Sequence, residues 1–305
     1  MHDLSHCELC PRRCGVDRLS GATGFCGAGP DVRLYRWGLH NGEEPPVSGT
    51  RGSGTVFFSH CTLGCLYCQN FPWSQEHKGG TVSVQRLADI FLDLASRGAH
   101  NLNLVTPTMW LPQIAAAADL ARNQAGIRLP FVYNTSGYER IETAERHRGL
   151  MDIVLTDLRY ASPDSAAEGS RARDYVEASR AFAAWAWRNV GPLELDADGI
   201  ARRGVICRIL VLPNRSREAC DTLRWIANTL GTDVHVSVMS QYTPVHKAPC
   251  TPGWDRKVTE AEYEKVTDCL DELGFDNGWV QEFESAQPSD LLGQEMPAGE
   301  GAVGL

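Results

Sequence analysis

From Thr55 onward, the chain alternates between short apolar segments rich in β-branched residues and longer amphipathic segments. We predict six strands, at 55–58, 101–106, 131–138, 152–160, 204–213 and 234–242. We predict helices at 84–98, 111–125, 175–190 and 218–230, and a last helix that begins after Thr259, with Glu262 at capping-box spacing. The polar segment 161–173 is predicted to be a loop. Because strands and helices that alternate in this way form parallel βα units, the sequence predicts an α/β fold, a partial (β/α)6 barrel.

Three cysteines, Cys61, Cys65 and Cys68, follow the first of these strands directly. Their C-x3-C-x2-C spacing places three thiols on one short loop, in which Gly64 allows close approach of the backbone. Soft thiolate ligands suit iron and zinc. Three thiolates can hold a cubane cluster and leave one iron free for a ligand that is not protein. The alternatives are a zinc site that borrows a fourth ligand such as His60, and buried thiols without a metal.

A second cysteine set lies in the first thirty residues: Cys7, Cys10, Cys14 and Cys26. Several glycines accompany it, as expected where the backbone folds tightly around a metal. Four thiolates suit tetrahedral zinc and also an iron-sulfur cluster. We favour structural zinc; the alternatives are an auxiliary cluster, which would relay electrons or bind substrate, and four free thiols.

We divide the chain into an N-terminal Cys-rich metal-binding segment (1–50), the α/β unit (51–284) and a flexible C-terminal tail (285–305).

The composition is that of an ordinary globular protein, with 43% apolar and 22% charged residues in 305 positions. The net charge of −9 argues against a nucleic-acid partner, because such proteins usually carry a basic face. The sequence has no apolar run long enough to span a membrane and does not begin like a signal peptide. We therefore expect a cytoplasmic protein, with the remaining cysteines (Cys207, Cys220, Cys250 and Cys269) as reduced thiols.

Polar residues lie on or near the carboxyl ends of the predicted strands, where parallel α/β barrels gather their reactive groups. These residues are Thr106, Thr108, Asn134, Ser136, Asp157, Arg159, Arg208, Gln241 and Tyr242. We expect them to form a polar ring above an apolar interior. Glu43 and Glu44, in the loop before the first of these strands, are predicted to be a solvated pair, with a lid or substrate contact as the alternative.

The three-cysteine motif, with the aromatic Tyr67 before its third cysteine, resembles the signature of the radical S-adenosylmethionine (radical SAM) enzymes. In that family the open iron of a 4Fe-4S cluster binds S-adenosylmethionine. An electron from the reduced cluster cleaves the sulfonium to a 5'-deoxyadenosyl radical, which takes a hydrogen atom from the substrate. The resemblance implies that Cys61, Cys65 and Cys68 hold the cluster, that Tyr67 packs beside it, and that a flavodoxin or ferredoxin donates the electron.

Across residues 50–280 the chain looks like the branch related to pyruvate formate-lyase activating enzymes. The N-terminal cysteines, with 42–45 and 134–138, resemble an uncharacterised group within that branch. Asp157 and Arg159 match an Asp-x-Lys motif near the cofactor, with Arg in place of Lys, and Arg208 matches an Arg on the fifth strand. The Gly-Gly-Glu that holds the methionyl amine is absent, and Thr106 is our substitute. We therefore expect these cofactor contacts: Tyr67, Thr106, Asn134, Ser136, Asp157 and Arg208.

The substrate hypotheses belong to different classes. The first is a glycyl-radical activase, which takes hydrogen from a backbone glycine of a partner enzyme. The second is an enzyme that modifies another peptide or a small metabolite. The third is a non-enzymatic iron-sulfur or zinc sensor, which would need no S-adenosylmethionine.

Overall fold

The computed structural model describes residues 2–283. The predicted tail, 285–305, lies outside the described residues. The strands are β1 (Val32–His40), β2 (Ser53–Phe58), β3 (Gly80–Val82), β4 (Leu102–Val105), β5 (Phe131–Thr135), β6 (Ile153–Asp157), β7 (Glu194–Leu195), β8 (Ala201–Leu210), β9 (His235–Met239) and β10 (Gly278–Val280). The α-helices are α1 (His2–Ser5), α2 (Pro45–Ser48), α3 (Phe71–Ser74), α4 (Val84–Ser96), α5 (Leu111–Ala125), α6 (Ile141–Arg146), α7 (Pro163–Ser170), α8 (Tyr175–Asn189), α9 (Ser216–Thr229) and α10 (Glu260–Glu272).

The strands form one mostly parallel sheet in the order β10-β9-β8-β6-β5-β4-β2-β1-β3, with β7 paired to β8. All neighbours from β2 to β10 along this order are parallel. The strand β1 is antiparallel to β2 and to β3. The protein is therefore an α/β protein, and each of the six predicted strands is present in the parallel part. The short parallel strand β10 was not predicted.

Local sequence explains the helices that cover this sheet. The Ser83 side chain accepts a hydrogen bond from the Arg86 N–H and so begins α4, which buries Leu87, Phe91 and Leu94. Thr259 and Glu262 form the predicted capping box at the start of α10. Capping and one apolar side thus fix where these helices begin and which side faces the core.

The prediction of a loop over 161–173 is wrong, because α7 occupies most of it. The Ser162 side chain accepts hydrogen bonds from the Asp164 and Ser165 N–H groups, and Pro163 stands at the first helical position. Ala166 is fully buried. Strong capping therefore forms a short helix from residues that lack an apolar stripe, and its last residue, Ser170, reaches the cysteine loop.

The amino-terminal ends of the central parallel strands are closed by apolar packing. A buried cluster joins Val47 of α2 to residues of β5, β6 and β8: Val132, Ile153, Leu155, Ala201 and Ile206. We call this cluster the floor, and the strand surface above it, which carries Asn134 and Arg208, the inner face. The segment that precedes β2 is thus part of the packing of the central sheet.

Candidate functional site

The cysteine loop begins where β2 ends, at the carboxyl edge of the parallel strands. His60 turns the chain with a left-handed φ of 74°. The Gly64 N–H donates to the Ser170 carbonyl at 3.1 Å and the Leu66 N–H to the Gly169 carbonyl at 2.9 Å. A Cβ at Gly64 would lie 2.8 Å from Cδ of Arg171, so glycine permits this approach. The last turn of α7 therefore holds the loop in place.

Hydrogen-bonding groups surround the three thiols of this loop, none of which is in a disulfide. The Cys65 sulfur lies 3.0 Å from the Ser170 hydroxyl and 3.2 Å from Nη1 of Arg159. The Cys68 sulfur lies 3.2 Å from the Ser74 hydroxyl, and the Cys61 sulfur accepts from the Leu63 N–H at 3.4 Å. Three thiols from one loop thus share a site rich in N–H and O–H donors.

Burial and mutual repulsion act together on these thiols. Burial and, after it, the neighbouring Cys65 thiol raise the pKa of Cys68 to about 11 against the opposing effects of Ser74 and Arg159. Burial also raises the pKa of Cys61, with contributions from Cys65 and Cys68 in the same direction. The three thiols are therefore electrostatic neighbours, and in the absence of a metal Cys61 and Cys68 stay protonated at neutral pH.

The donor set fits an iron-sulfur cluster better than a single ion. Within residues 2–283, no three or more His, Cys, Asp or Glu side chains surround one metal-ion position. A cubane does not require one, because each thiolate binds a different iron. An anionic cluster is also stabilised by N–H and O–H groups directed at its sulfur ligands, and Arg159, Ser170 and Ser74 supply them.

Tyr67 is part of the cysteine loop, and its side chain is buried. Its hydroxyl is 2.6 Å from the Tyr160 hydroxyl, and its ring stacks on Trp254 with centroids 5.4 Å apart. Burial raises the pKa of Tyr67, so the phenol stays neutral. The structure thus places Tyr67 as an anchor of the loop against the core.

Asp157 and Arg159, at the end of β6, form an ion pair with Nε–Oδ2 and Nη2–Oδ2 distances of 3.0 Å and 2.5 Å. Burial alone would lower the pKa of Arg159, but the Asp157 carboxylate, together with Cys65, Tyr67 and Tyr175, outweighs it and holds that pKa well above its usual value. Because Asp157 binds two of its nitrogens, the guanidinium is oriented with Nη1 toward the Cys65 sulfur. The Arg that replaces Lys in this motif therefore contacts the Cys65 sulfur directly.

The structure brings Arg208 and Asn134 together, but Glu43 binds both side chains and Glu44 also binds Arg208. Nε of Arg208 donates to Oε1 of Glu44 at 2.8 Å, Nη1 donates to Oδ1 of Asn134 at 3.2 Å, and Nη2 contacts both carboxylates. Glu43 also accepts from the Asn134 and Asn103 amides, at 3.2 Å and 2.9 Å. Every nitrogen of the Arg208 guanidinium is thus engaged in this conformation.

The expectation that Glu43 and Glu44 form a solvated pair is wrong. Their side chains are only 9% and 5% exposed. Burial alone would raise the pKa of Glu44, but the Arg208 guanidinium outweighs it and lowers that pKa. The pair is buried because a strand residue far along the chain, Arg208, provides its counter-charge.

Thr106 and Ser136 lie beside this network at the ends of β4 and β5. Thr106 is half-buried, has a left-handed φ of 58°, and donates its N–H to the Asn134 carbonyl at 2.9 Å. Ser136 is also half-buried, and its carbonyl accepts from the Tyr175 hydroxyl at 2.7 Å. Within residues 2–283, the Thr106 and Ser136 hydroxyls make no hydrogen bond to another protein group. The hydroxyls of both residues therefore suit contacts to a bound molecule.

Sequence reasoning missed Glu139, which lies below this edge. Its Oε1 accepts from the Thr108 and Thr135 hydroxyls at 2.6 Å and 2.5 Å. Burial raises the pKa of Glu139 to about 7, against the opposing effect of the two hydroxyls. Glu139 directly follows segment 134–138, yet a single carboxyl residue after a predicted strand does not indicate that its side chain is buried.

The four N-terminal thiols also lie near one another. Cys7 is buried, Cys10 and Cys26 are half-buried and Cys14 is exposed, and none is in a disulfide. Burial raises the pKa of Cys10 to about 12, with Cys26 and Cys7 acting in the same direction after it. Burial likewise raises the pKa of Cys26, and Cys7 and Cys14 add to the shift. Each of the four residues is therefore close enough to at least one other to affect its charge, although within residues 2–283 no three of these thiols surround one metal-ion position.

The two cysteine sets are joined by direct contacts. Nε of Arg12 donates to the Thr62 carbonyl at 2.7 Å, and Nη2 donates to the Arg171 carbonyl at 2.7 Å. Nδ1 of His60 lies 2.9 Å from the Cys26 carbonyl. The N-terminal segment therefore packs on the outside of the cysteine loop.

Comparison with known proteins gives one relative and several distant structures. No protein-family model matches the chain. The uncharacterized protein MJ0674 of Methanocaldococcus jannaschii is 27% identical over 283 residues, which cover 90% of this chain and 76% of that protein. SuiB of Streptococcus suis bound to S-adenosylmethionine is 12% identical with a TM-score of 0.47, covering 73% of this chain. SuiB bound to its precursor peptide SuiA is 11% identical, also with a TM-score of 0.47.

The matched region spans about half of the SuiB chain, 48% and 47% in the two structures. Both TM-scores are below 0.5, so the likeness to SuiB is remote. Among the described residues, no helix has both the length and the apolar character needed to cross a bilayer.

Proposed function

We propose that this protein is a radical SAM enzyme in which Cys61, Cys65 and Cys68 hold a 4Fe-4S cluster. The observation that carries the proposal is the position of three free, neighbouring thiols directly after the first parallel strand, with the Arg159 guanidinium 3.2 Å from one sulfur. When bound, the cluster and S-adenosylmethionine supply a reductive cleavage whose 5'-deoxyadenosyl radical abstracts hydrogen from a substrate.

The architecture that supports this chemistry is, in our proposal, a partial (β/α)6 barrel. Arg208 of β8 reaches Asn134 of β5, and Glu43 reaches Asn103 of β4, so side chains from separated strands meet across the inner face. The floor fills the amino-terminal end of this face. The carboxyl edge, with the cysteine loop, is then the open end where a cofactor and a substrate bind.

The residues around the thiols have distinct roles in this proposal. Arg159 and Ser170 donate hydrogen bonds toward Cys65, and Ser74 toward Cys68, which stabilises negative charge on the sulfur ligands. Asp157 orients Arg159. Tyr67, packed on Trp254, keeps the inner side of the loop dry, and a dry site strengthens each of these interactions.

For S-adenosylmethionine we propose contacts from the carboxyl edge. The half-buried Thr106, Ser136 and Asp157 offer hydroxyl and carboxylate groups suited to its amine and ribose. Asn134 and Arg208 remain proposed contacts, and because Glu43 holds both, a carboxylate ligand would have to compete with Glu43 for Arg208. Engagement of Arg208 thus requires a local change in the loop that carries Glu43.

The finer assignment, a glycyl-radical activase of the pyruvate formate-lyase activating type, is supported by the Asp157 and Arg159 motif and by Arg208 on β8. The other substrate class is another peptide or a small metabolite. A glycyl-radical enzyme as partner would acquire a stable glycyl radical, which electron paramagnetic resonance detects. Modification of a peptide or metabolite would instead change the mass of that substrate.

We also propose that Cys7, Cys10, Cys14 and Cys26 hold a second metal, either structural zinc or an auxiliary iron-sulfur cluster. The support is the mutual effect of these thiols on one another's pKa and the contact between the Cys26 carbonyl and His60. Metal analysis of anaerobically purified protein distinguishes zinc from additional iron and sulfide.

The experiment that tests the main proposal is anaerobic reconstitution with iron and sulfide, followed by reduction in the presence of S-adenosylmethionine. We expect 5'-deoxyadenosine from the wild-type protein and none from Cys65→Ala. Cys250→Ala is the matched control, because Cys250 is an exposed thiol outside both cysteine sets. Equal product from Cys65→Ala, or no product from a fully loaded wild-type protein supplied with candidate substrates, contradicts the proposal.

A further inference from the structure

A basic and aromatic surface lies on the outside of the cysteine loop, although the whole chain carries a net charge of −9. We call it the arginine patch and define it as Arg12, Arg13, Phe25 and Arg171. Arg13 and Arg171 are exposed, and the Phe25 ring is 38% exposed. An exposed aromatic ring among cations is unusual on an acidic protein and marks a surface to be explained.

The patch is held together by cation–π contacts. The guanidinium carbon of Arg12 lies 3.4 Å from the centre of the Phe25 ring, and that of Arg171 lies 5.0 Å from it. The Arg12 guanidinium is also fixed by the Thr62 and Arg171 carbonyls. The ring and two of the cations are therefore pre-organised, which lowers the entropic cost of binding a partner.

The positive charge of Arg12 and Arg171 is not neutralised locally, whereas Arg13 lies near enough to the Glu142 carboxylate to contribute to its lowered pKa. Other arginines near the site form ion pairs, as Arg159 does with Asp157 and Arg215 with Glu168. In the described part of the chain, residues 2–283, neither Arg12 nor Arg171 has a carboxylate within ion-pair distance. Their charge remains available to an external acidic group.

The patch adjoins the loop that carries the thiols. Arg171 directly follows Ser170, whose hydroxyl lies 3.0 Å from the Cys65 sulfur. The Cβ position at Gly64, in the cysteine loop, is 3.3 Å from the Phe25 ring. Arg12 lies between Cys10 and Cys14 in the chain and bonds the carbonyl next to Cys61. One surface therefore borders both cysteine sets.

We propose that the arginine patch is the docking surface for a small acidic one-electron carrier protein of the flavodoxin type. The proposal rests on the proposed function, because it assigns the partner that reduces the cluster on Cys61, Cys65 and Cys68. The anionic flavin hydroquinone of the carrier gives up one electron and becomes the neutral flavin radical. The cluster accepts that electron. No proton or further reactant is needed.

The chemistry of the patch matches this occupant. Opposite charges on two surfaces steer encounter and raise association rates, and this effect fades as salt screens it. Electron-transfer partners meet through small, transient interfaces, and an aromatic ring with a few cations provides one. A carrier docked on the patch would lie beside Ser170, whose hydroxyl is 3.0 Å from the Cys65 sulfur.

The test compares charge reversals inside and outside the patch. Arg171→Glu and Arg13→Glu are the test variants, and Arg13→Glu leaves the hydrogen bonds of the cysteine loop intact. Arg188→Glu is the matched control, because Arg188 is exposed near the carboxyl end of α8 and its reversal changes the net charge equally. Arg12 is left unchanged, since its guanidinium holds the Thr62 carbonyl.

Two measurements are made on each reconstituted protein at low salt. Oxidised flavodoxin is titrated by calorimetry for its Kd, and bleaching of the cluster absorbance by flavodoxin hydroquinone is followed by stopped flow. We expect Arg171→Glu to weaken binding and slow reduction by about tenfold, Arg13→Glu by about threefold, and both effects to shrink near 0.5 M salt. Reduction by dithionite, which needs no docking, should stay within about twofold of wild type.

The outcomes separate the two proposals. If dithionite reduces the cluster and the patch variants behave like Arg188→Glu toward flavodoxin, the docking proposal fails alone. If dithionite leaves the wild-type protein unreduced, the proposed function fails and the docking proposal fails with it.

Discussion

Replacing Arg159 by Met should make the midpoint potential of the cluster more negative. The Arg159 guanidinium lies 3.2 Å from the Cys65 sulfur, and reduction adds one negative charge to the cluster. A cation at this position stabilises the reduced form more than the oxidised form, so its removal disfavours reduction. Arg159→Lys keeps the charge but cannot bind Asp157 and the sulfur with the same planar geometry, so it should give a smaller shift.

The magnitude follows from the charges around the site. At an effective dielectric constant of about 20, unit charges about 6 Å apart interact with roughly 3 kcal/mol. The Asp157 carboxylate is present in both proteins, so it does not contribute to the difference between them. A lost hydrogen bond to sulfur adds up to about 1 kcal/mol, which gives a total of about 3 to 4 kcal/mol. Since a tenfold change in a one-electron equilibrium equals about 59 mV, the shift is about 130 to 170 mV.

The assay is an anaerobic redox titration in which electron paramagnetic resonance follows the reduced cluster without S-adenosylmethionine. Asp157→Asn provides a control of opposite sign, because removal of the carboxylate should raise the potential. A shift below about 20 mV in Arg159→Met, or a positive shift, would refute the reasoning that the guanidinium acts on the cluster through Cys65.

Three further predictions concern stability and metal content. Because burial raises the pKa of Glu139 to about 7, the folded state keeps a proton that the unfolded state releases near pH 4.5, so the contribution of Glu139 to wild-type stability should fall as pH rises from about 4.5 to about 7 and level off above that. Glu139→Gln should remove this dependence and gain up to about 3 kcal/mol at pH 8 relative to pH 4, as measured by thermal unfolding at each pH. Glu44→Ala leaves the buried Arg208 with one carboxylate fewer and should lower the free energy of unfolding by about 2 to 4 kcal/mol in urea titrations, whereas an unchanged value contradicts the ion pair. Cys26→Ser should lose the second metal but keep the iron of the cysteine loop, as checked by elemental analysis, and loss of both would mean that the two sites assemble together.

The strands and most helices could be predicted because their signals are local. Capping residues such as Ser83 and Thr259, together with short β-branched segments, fix element type within a few residues of sequence. The position of Cys61 after a strand likewise follows from adjacent residues. The prediction failed at 161–173, where a cap and a proline outweighed a composition typical of loops.

The contacts that organise the site were beyond sequence reasoning because they join distant residues. Glu44 meets Arg208 across 164 positions, and only this contact explains why a carboxylate in a Gly- and Pro-rich loop is buried. Arg12 meets Thr62 across 50 positions. Charge and burial at such residues depend on the completed fold, whereas capping and periodicity do not.

The floor, formed by Val47 and the strand residues beneath Arg208, closes one end of the inner face. Since side chains fill that end, a molecule bound above it would enter and leave at the opposite edge, where the parallel strands end. A substrate that binds after the cofactor would then lie between the cofactor and the open edge. A substrate seated over the nucleoside would have to depart before the spent nucleoside could follow, so turnover would obey a fixed order of arrival and release.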